Sequence, residues 1–284
     1  MIQYINVTQP YNWAMVRAFL LRRAIAGVET CSALSYARFF DERPFYPDAV
    51  ASPPLSLNPT ETLPSSWFCA TYEPEQARFK IELHLHDMRC RDAVLANIIR
   101  VLDAQQEMPV INDALRNAGF AAEEITQGIR LPATWSPFEA LIRAIVGQQI
   151  SVTGAVNILN NWVGQQANTD KLLRHFPTPD AIAQYGTSSL PMPKARQQTL
   201  NAAGTFAQNN ALSDVDSVQS LLALKGIGPW TVNYVLMRGL SAPDVFLHND
   251  LVVKNQLKRF AINPENASPW QSYVCIQLWE HANT

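Results

Sequence analysis

The residue types best placed for chemistry gather in one stretch, 216–260, which reads DSVQSLLALKGIGPWTVNYVLMRGLSAPDVFLHNDLVVKNQLKRF. Lys225-Gly226-Ile227-Gly228 is a tight turn, because two glycines one residue apart relieve backbone sterics that any Cβ would impose. Pro229 fits the first position of a helix, where a missing N–H does no harm. The amides of such a turn, with the free N–H groups of the helix it opens, face outward at the positive end of a macrodipole. That surface suits an anion, and a phosphodiester is the obvious candidate. Asp250 lies 22 residues beyond Gly228 and directly before the apolar run Leu251-Val252-Val253, so it caps a further helix and lies at its mouth. Trp230 and Tyr234 are four apart on the helix that Pro229 opens and therefore share a face. Asn249 and Asp244 are rival polar residues. Asp244 reads as a turn residue and His248 as a solvated loop side chain.

These groups need elements to position them. Val218, Leu221, Leu222 and Leu224 predict a short helix over 217–224, ahead of the turn. Val232, Val235 and Leu236 carry the second helix to Gly239, a C-cap signal. Ser136-Pro137-Phe138-Glu139 combines an N-terminal proline with a capping box. The helix it opens bears Phe138, Leu141, Ile142, Ile145 and Val146 on one stripe, a core helix. It runs into Gly147-Gln148-Gln149-Ile150-Ser151, and a further helix covers 152–163. Other helices are predicted over 91–102, 109–118, 178–185, 196–208 and 269–281. Before residue 87 the pattern is mixed: a strand over 2–7, a helix over 11–26, a strand over 32–40, and a hairpin joining 67–72 to 79–86. In the last strand Lys80, Glu82, His84 and His86 alternate with apolar residues and belong in water. Residues 44–66 hold six prolines and predict an extended surface excursion.

The 284 residues, 48% hydrophobic and 16% charged, describe a globular chain of two or three domains. The fold class is a small α+β domain with an antiparallel sheet (1–87), followed by an all-α domain (88–284). No apolar run spans a membrane and no secretory signal opens the chain. Cys31, Cys69, Cys90 and Cys275 are scattered, which points to buried thiols in a reducing cytoplasm. The net charge of −2 argues against a nonspecific polyanion binder. Residues 188–260 nevertheless carry seven basic side chains against four acidic ones, and a backbone grip needs few cations.

The hairpin, the Gly/Pro loop and the Asp opening the next helix resemble the helix-hairpin-helix DNA glycosylase superfamily. FEALIRAIVGQQIS, LPMPKAR, GIGPWTVNY and DVFLHND narrow the resemblance to the bacterial 3-methyladenine-DNA glycosylase II family, over nearly the whole chain. The resemblance implies a helical core of two subdomains with the active-site cleft between them. It also implies hydrolysis of the N-glycosidic bond of alkylated purines in duplex DNA, with the base flipped out of the helix. Asp250 matches the family's essential aspartate, a carboxylate that stabilises an oxocarbenium-like sugar. Bifunctional relatives place a lysine two residues after the second hairpin glycine. Here that position is Trp230, so no Schiff base forms and the strand stays uncut. Phe19, Trp230, Tyr234 and Trp270 match family pocket positions, where electron-rich rings attract a cationic base. Gly226 and Gly228, supported by Thr231, would contact phosphate. Gln149, with Ile150 beside it, would wedge into the duplex, and Gln148 would touch the neighbouring backbone. The four scattered cysteines exclude the iron–sulfur cluster of some relatives, and no metal or cofactor is expected beyond a monovalent cation on the carbonyls of Leu222, Leu224 and Gly226. The expected partner is alkylated double-stranded DNA in the nucleoid, bound by a monomer, with no membrane involved. Two alternatives stay open: a noncatalytic module that recognises damaged DNA, and a glycosylase for another damaged base.

Overall fold

The computed structural model describes residues 1–46, 66–166 and 175–283. Alternating sequence in the first third produces a five-stranded antiparallel sheet. Its strands are β1 (Ile2–Asn6), β2 (Glu29–Cys31), β3 (Ser35–Phe40), β4 (Ser66–Glu73) and β5 (Arg78–His84), in the order β1-β5-β4-β3-β2. On β5 the side chains of Phe79, Ile81 and Leu83 are buried while Lys80, Glu82 and His84 reach solvent, as the alternation predicts. The strand expected over 32–40 is present as β3 from Ser35, and β2 before it, which the sequence did not predict, pairs with it as a hairpin. Ser32 makes the turn between them, donating its amide to the Ser35 carbonyl at 2.8 Å while the two hydroxyls meet at 2.7 Å, which is serine turn chemistry and starts β3 three residues late. Of the proline-rich excursion over 44–66, residues 47–65 lie outside the described residues.

Helix α1 (Trp13–Leu21) packs Trp13 against Tyr72 and Phe79 of the sheet, with ring centroids 5.9 and 5.6 Å apart. Asn12 caps it, accepting the Met15 amide at 3.0 Å. The helix stops at Leu21, short of the expected 26. The Ile25 amide, which would continue the ladder, donates instead to the buried Glu29 carboxylate at 3.0 Å.

The rest is helical: α2 (Arg91–Leu102), α3 (Met108–Ala118), α4 (Pro137–Gly147), α5 (Val152–Gln166), α6 (Pro179–Tyr185), α7 (Lys194–Asn209), α8 (Val215–Gln219), α9 (Pro229–Gly239), α10 (Leu251–Gln256) and α11 (Gln271–His281). Among the described residues, no helix is long and apolar enough to cross a membrane. The helix expected over 217–224 is only α8 followed by one 3-10 turn, Ser220–Ala223. Gly239 closes α9, but packing explains it better than capping. A Cβ there would lie 2.7 Å from the Cα of Pro137, so the glycine is what lets α9 touch α4.

The expected capping box at α4 is half formed. Ser136 accepts the Glu139 amide at 3.1 Å, but the Glu139 carboxylate turns inward and pairs with Arg38 of β3 and Arg143 of α4. Glu29 of β2 completes the cluster, 3.1 Å from Arg38 and 2.7 Å from Arg143. A lone buried charge costs several kcal/mol, and mutual pairing offsets that penalty. The cluster binds the sheet to the helix that leads to the cleft. Trp135 reinforces the join, its ring 4.6 Å from Phe40 and 5.5 Å from Phe68. The apolar core is continuous across it. Of the four free thiols, Cys90 and Cys275 are buried, whereas Cys31 and Cys69 are partly exposed, against the expectation for all four.

Candidate active site

A cleft of about 1110 Å³ opens where the α4–α5 loop, the glycine turn, α9, the start of α10 and the end of α11 converge. The turn that feeds α9 rests on α7. Gly226 has φ +88°, and a Cβ on it would sit 2.2 Å from the Thr199 hydroxyl. Glycine is therefore required there twice over, by backbone conformation and by space. Gly228 differs from the expectation that sterics require both glycines. Its φ of −116° suits any residue, and a Cβ would meet nothing within 4 Å. Pro229 occupies the first turn of α9, leaving the helix N-terminus aimed along the turn.

Two expected contact residues face inward. The Gln148 amide Nε2 donates to the Gly226 carbonyl at 3.1 Å and lies 3.3 Å from the Thr231 hydroxyl oxygen. Thr231 is 2% exposed, so it braces the turn from beneath. Gln148 ties the end of α4 to the hairpin. Gln149 is exposed at the loop tip with φ +60°, and Ile150 beside it is 39% exposed. That left-handed conformation is uncommon for a glutamine and turns the tip outward.

Asp250 caps α10 at the edge of the cleft. One oxygen, Oδ1, accepts the amides of Val252 and Val253 at 3.0 and 3.1 Å and the Trp279 indole N–H at 3.2 Å. The other, Oδ2, accepts the Trp230 indole N–H at 3.3 Å. Hydrogen bonds to an ionised acceptor are stronger than neutral ones, and here they lock the carboxyl's orientation. Trp230 and Tyr234 stand with ring centroids 5.5 Å apart, and Tyr234 lies 6.5 Å from Trp279. Phe19 is buried behind this wall, 6.2 Å from Trp279 and stacked on it. Trp270 is elsewhere. It does not line the cleft, and its ring meets Tyr273 at 6.2 Å. The wall is thus closed by Trp279, which the sequence reading passed over.

The two rival polar residues and His248 separate cleanly. Asp244 accepts from Ser268 Oγ at 2.7 Å and from the Gln271 amide at 3.4 Å, holding the loop to α11 away from the cleft. His248 is exposed, its ring 4.9 Å from Phe246. Asn249 lines the cleft, with its Oδ1 accepting from Lys254 Nζ at 2.9 Å. Arginines also enter. Arg23 and Arg143 line the cleft, while Arg238 lies buried below Phe19, its Cζ 4.4 Å from the ring. Burial and the neighbouring Arg238 lower the Arg23 guanidinium to about 9.

Residues 4–136 match the family described as the AlkA N-terminal domain. The DNA-3-methyladenine glycosylase 2 of Escherichia coli (strain K12) is 30% identical over 97% of this chain and 95% of its own length. Among solved structures, the 3-methyladenine DNA-glycosylase of Archaeoglobus fulgidus superimposes with a TM-score of 0.73 at 18% identity, covering 99% of this chain and 98% of that one. The 8-oxoguanine glycosylase/lyase of Clostridium acetobutylicum superimposes with a TM-score of 0.57 at 14% identity, over 90% of this chain and 98% of that one. At these identities the two structures speak to fold alone.

Proposed function

Since the chain belongs to the DNA-3-methyladenine glycosylase II family, a hydrolase of alkylated bases in DNA repair, we propose that Asp250 is its catalytic carboxylate and that it acts alone, without lyase chemistry. The observation that carries this reading is the one carboxylate that lines the cleft among the described residues, anchored by two backbone amides and two indole N–H groups. Oδ1 is occupied by three donors. Oδ2 has one, which leaves it lone pairs to face C1′ of a flipped nucleotide. As the N-glycosidic bond lengthens, positive charge grows on the sugar, and a carboxylate already fixed in place stabilises it without reorganising. The same oxygen can orient the attacking water. Trp230 stands at the hairpin position where an attacking lysine would be needed, and an indole forms no Schiff base. The products are a free base and an uncut abasic strand.

The neighbouring groups take supporting roles in this reading. Trp230, Tyr234 and Trp279 wall the base, with Phe19 behind them. The amides of Gly226 and Gly228 grip a phosphate, and the open space at Gly228 admits the backbone of the DNA. Gln149 and Ile150 fill the gap that the flipped base leaves. A monovalent cation on the carbonyls of Leu222, Leu224 and Gly226 would stiffen the turn. The Leu224 and Gly226 oxygens each accept one N–H, from Ile227 and Gln148, and each keeps a lone pair for it. The reading takes the protein as a monomer acting on duplex DNA in the cytoplasm, with every residue of the cleft supplied by one chain.

The test uses methylated duplex DNA with wild type and Asp250→Asn. Asparagine caps a helix as well as aspartate does, so folding and DNA affinity should hold while base release falls on the order of 10²–10³-fold. Release of no 3-methyladenine by wild type would sink the reading. Strand nicking before alkali treatment would remove its monofunctional part, and an undiminished Asp250→Asn variant would remove Asp250.

A further inference from the structure

The helix that Asp250 opens turns most of its apolar run to the outside. Of Leu251-Val252-Val253 only Val253 is buried, with Gln256 one turn on buried beside it. Leu251 is 72% exposed and Val252 40%, and both line the cleft. On the α4–α5 loop, Ile150 and Val152 are 39% and 45% exposed and line the same cleft. Two separate elements are therefore apolar where the cleft meets solvent. A single exposed leucine means little, but four exposed apolar side chains around one opening mark a surface shaped for contact. Leu251 stands out among them, because no large apolar side chain among the described residues is more exposed.

Distance says what Leu251 would touch. The C1′ of a flipped nucleotide has to sit at Asp250 Oδ2. Consecutive Cα atoms are about 3.8 Å apart, and successive nucleotides of one strand rise about 3.4 Å along a duplex. Leu251, one residue beyond Asp250, is thus one base step from the flipped sugar. A base withdrawn from the stack leaves flat apolar faces bare, and a leucine side chain matches them in chemistry. Charge points to the same occupant. Lys254, three residues on, shares the face of Leu251, and Lys258 and Arg259 follow just past the helix; all three are exposed. Residues 251–263 contain these three basic side chains and no acidic one. Lys254 Nζ is held at the cleft by Asn249 Oδ1 at 2.9 Å. An apolar tip backed by cations fits bases in front and phosphates behind.

We propose that Leu251 is a positioning residue that enters the base stack beside the vacated site, so that the opened duplex is held by α10 as well as by the Gln149–Ile150 tip. The proposal rests on the glycosylase reading of the same cleft and adds to it a second point of entry into the duplex. The tip fills the hole that the flipped base leaves. Leu251 bears on the adjoining base of the same strand and blocks the return of the extruded nucleotide. Its role belongs to the opening of the duplex and not to breaking the glycosidic bond, so it is needed only where the target base is paired.

Two measurements on the full chain test it. In the first, single-turnover base release is followed from two duplexes carrying one 7-methylguanine, opposite cytosine in one and opposite a tetrahydrofuran gap in the other. Opposite the gap the target is unpaired and leaves the stack with little help. Leu251→Ala should slow release from the paired duplex at least tenfold and from the gapped one less than threefold, with Leu251→Met near wild type on both. Losses of equal size in the two duplexes, or no loss in either, overturn the proposal. The second measurement needs no base release. A duplex with tetrahydrofuran in place of the target nucleotide carries 2-aminopurine beside it, on one side or the other, and brightens when that base is unstacked. Saturating wild type should brighten one of the two duplexes, and saturating Leu251→Ala should give less than half that rise. Equal brightening by both proteins overturns the proposal, whereas absence of any base release by wild type from either 7-methylguanine duplex overturns the glycosylase reading itself.

Discussion

Asp250 shows how much of a site is written locally. Its place before an apolar run and its distance from the glycine turn were legible because capping and hairpin formation depend on near neighbours. Trp230 and Tyr234 were legible as a pair because one helical turn fixes their common face. Trp279 was not. It belongs to α11, where residues from Ser272 to Trp279 are buried without interruption, and in such a run an indole reads as core. Only its N–H, 3.2 Å from Asp250, separates it from its neighbours. Trp270, singled out by resemblance, stands at the cap of the same helix and turns to Tyr273. The structure therefore makes Trp279→Phe informative: it keeps a ring against Phe19 and Tyr234 and deletes one donor to the carboxylate. A hydrogen bond to a charged group is worth about 1.5–3 kcal/mol. Base release under single-turnover conditions should fall roughly tenfold or more, with duplex affinity unchanged. A variant as fast as wild type would show that Trp279 does not hold Asp250 in its working orientation.

At the scale of the element, the glycine turn needs one of its glycines for the fold and leaves the other open to solvent. The sequence placed both in one category, because a G-x-G spacing cannot reveal which Cβ would collide. The collision is with Thr199, 27 residues before Gly226, on a helix the turn merely rests upon. Gly226→Ala forces a left-handed alanine and drives a methyl into the Thr199 hydroxyl, so it should cost at least about 1–3 kcal/mol of stability, read as a fall in the urea midpoint. Gly228→Ala meets neither obstacle. Its stability should stay within about 0.5 kcal/mol of wild type, while the proposed phosphate contact predicts a drop in affinity for duplex DNA. Equal stability losses in the two variants would refute this division. The same logic explains Gly239, where the missing Cβ serves the α4–α9 contact, and a C-cap rule could not tell one use of glycine from the other.

Across the whole molecule, four of the five strands were legible, but the three-residue β2 and the sheet's attachment to the helical part were not. Glu139 looks like the last residue of a capping box, and its partner Arg38 lies 101 residues away. No local pattern carries that information. Burial pushes the Glu29 carboxyl up, yet Arg143 and Arg38 outweigh it and hold the carboxyl below its ordinary value. Glu139→Gln leaves two buried guanidiniums short of a partner and should cost about 3–5 kcal/mol, measured by denaturant unfolding. Asp103 works in the opposite sense at the other end of the core. It ends α2 with φ +49° and accepts the Leu131 amide at 2.8 Å and the Tyr273 hydroxyl at 2.9 Å. Burial nevertheless raises its carboxyl from 3.8 to about 6, against the pull of Leu131, Arg130 and Tyr273. A carboxyl whose folded value lies above its unfolded one binds a proton more readily when folded. Its contribution to stability is full below about pH 4 and is lost as the pH rises through about 6. Asparagine tolerates the left-handed conformation and cannot titrate. The stability of wild type minus that of Asp103→Asn should therefore decline by about 1–3 kcal/mol between pH 4 and 7 and then level off. A difference that stays flat across that window, or grows with pH, would show that Asp103 is ionised in the folded chain at little cost.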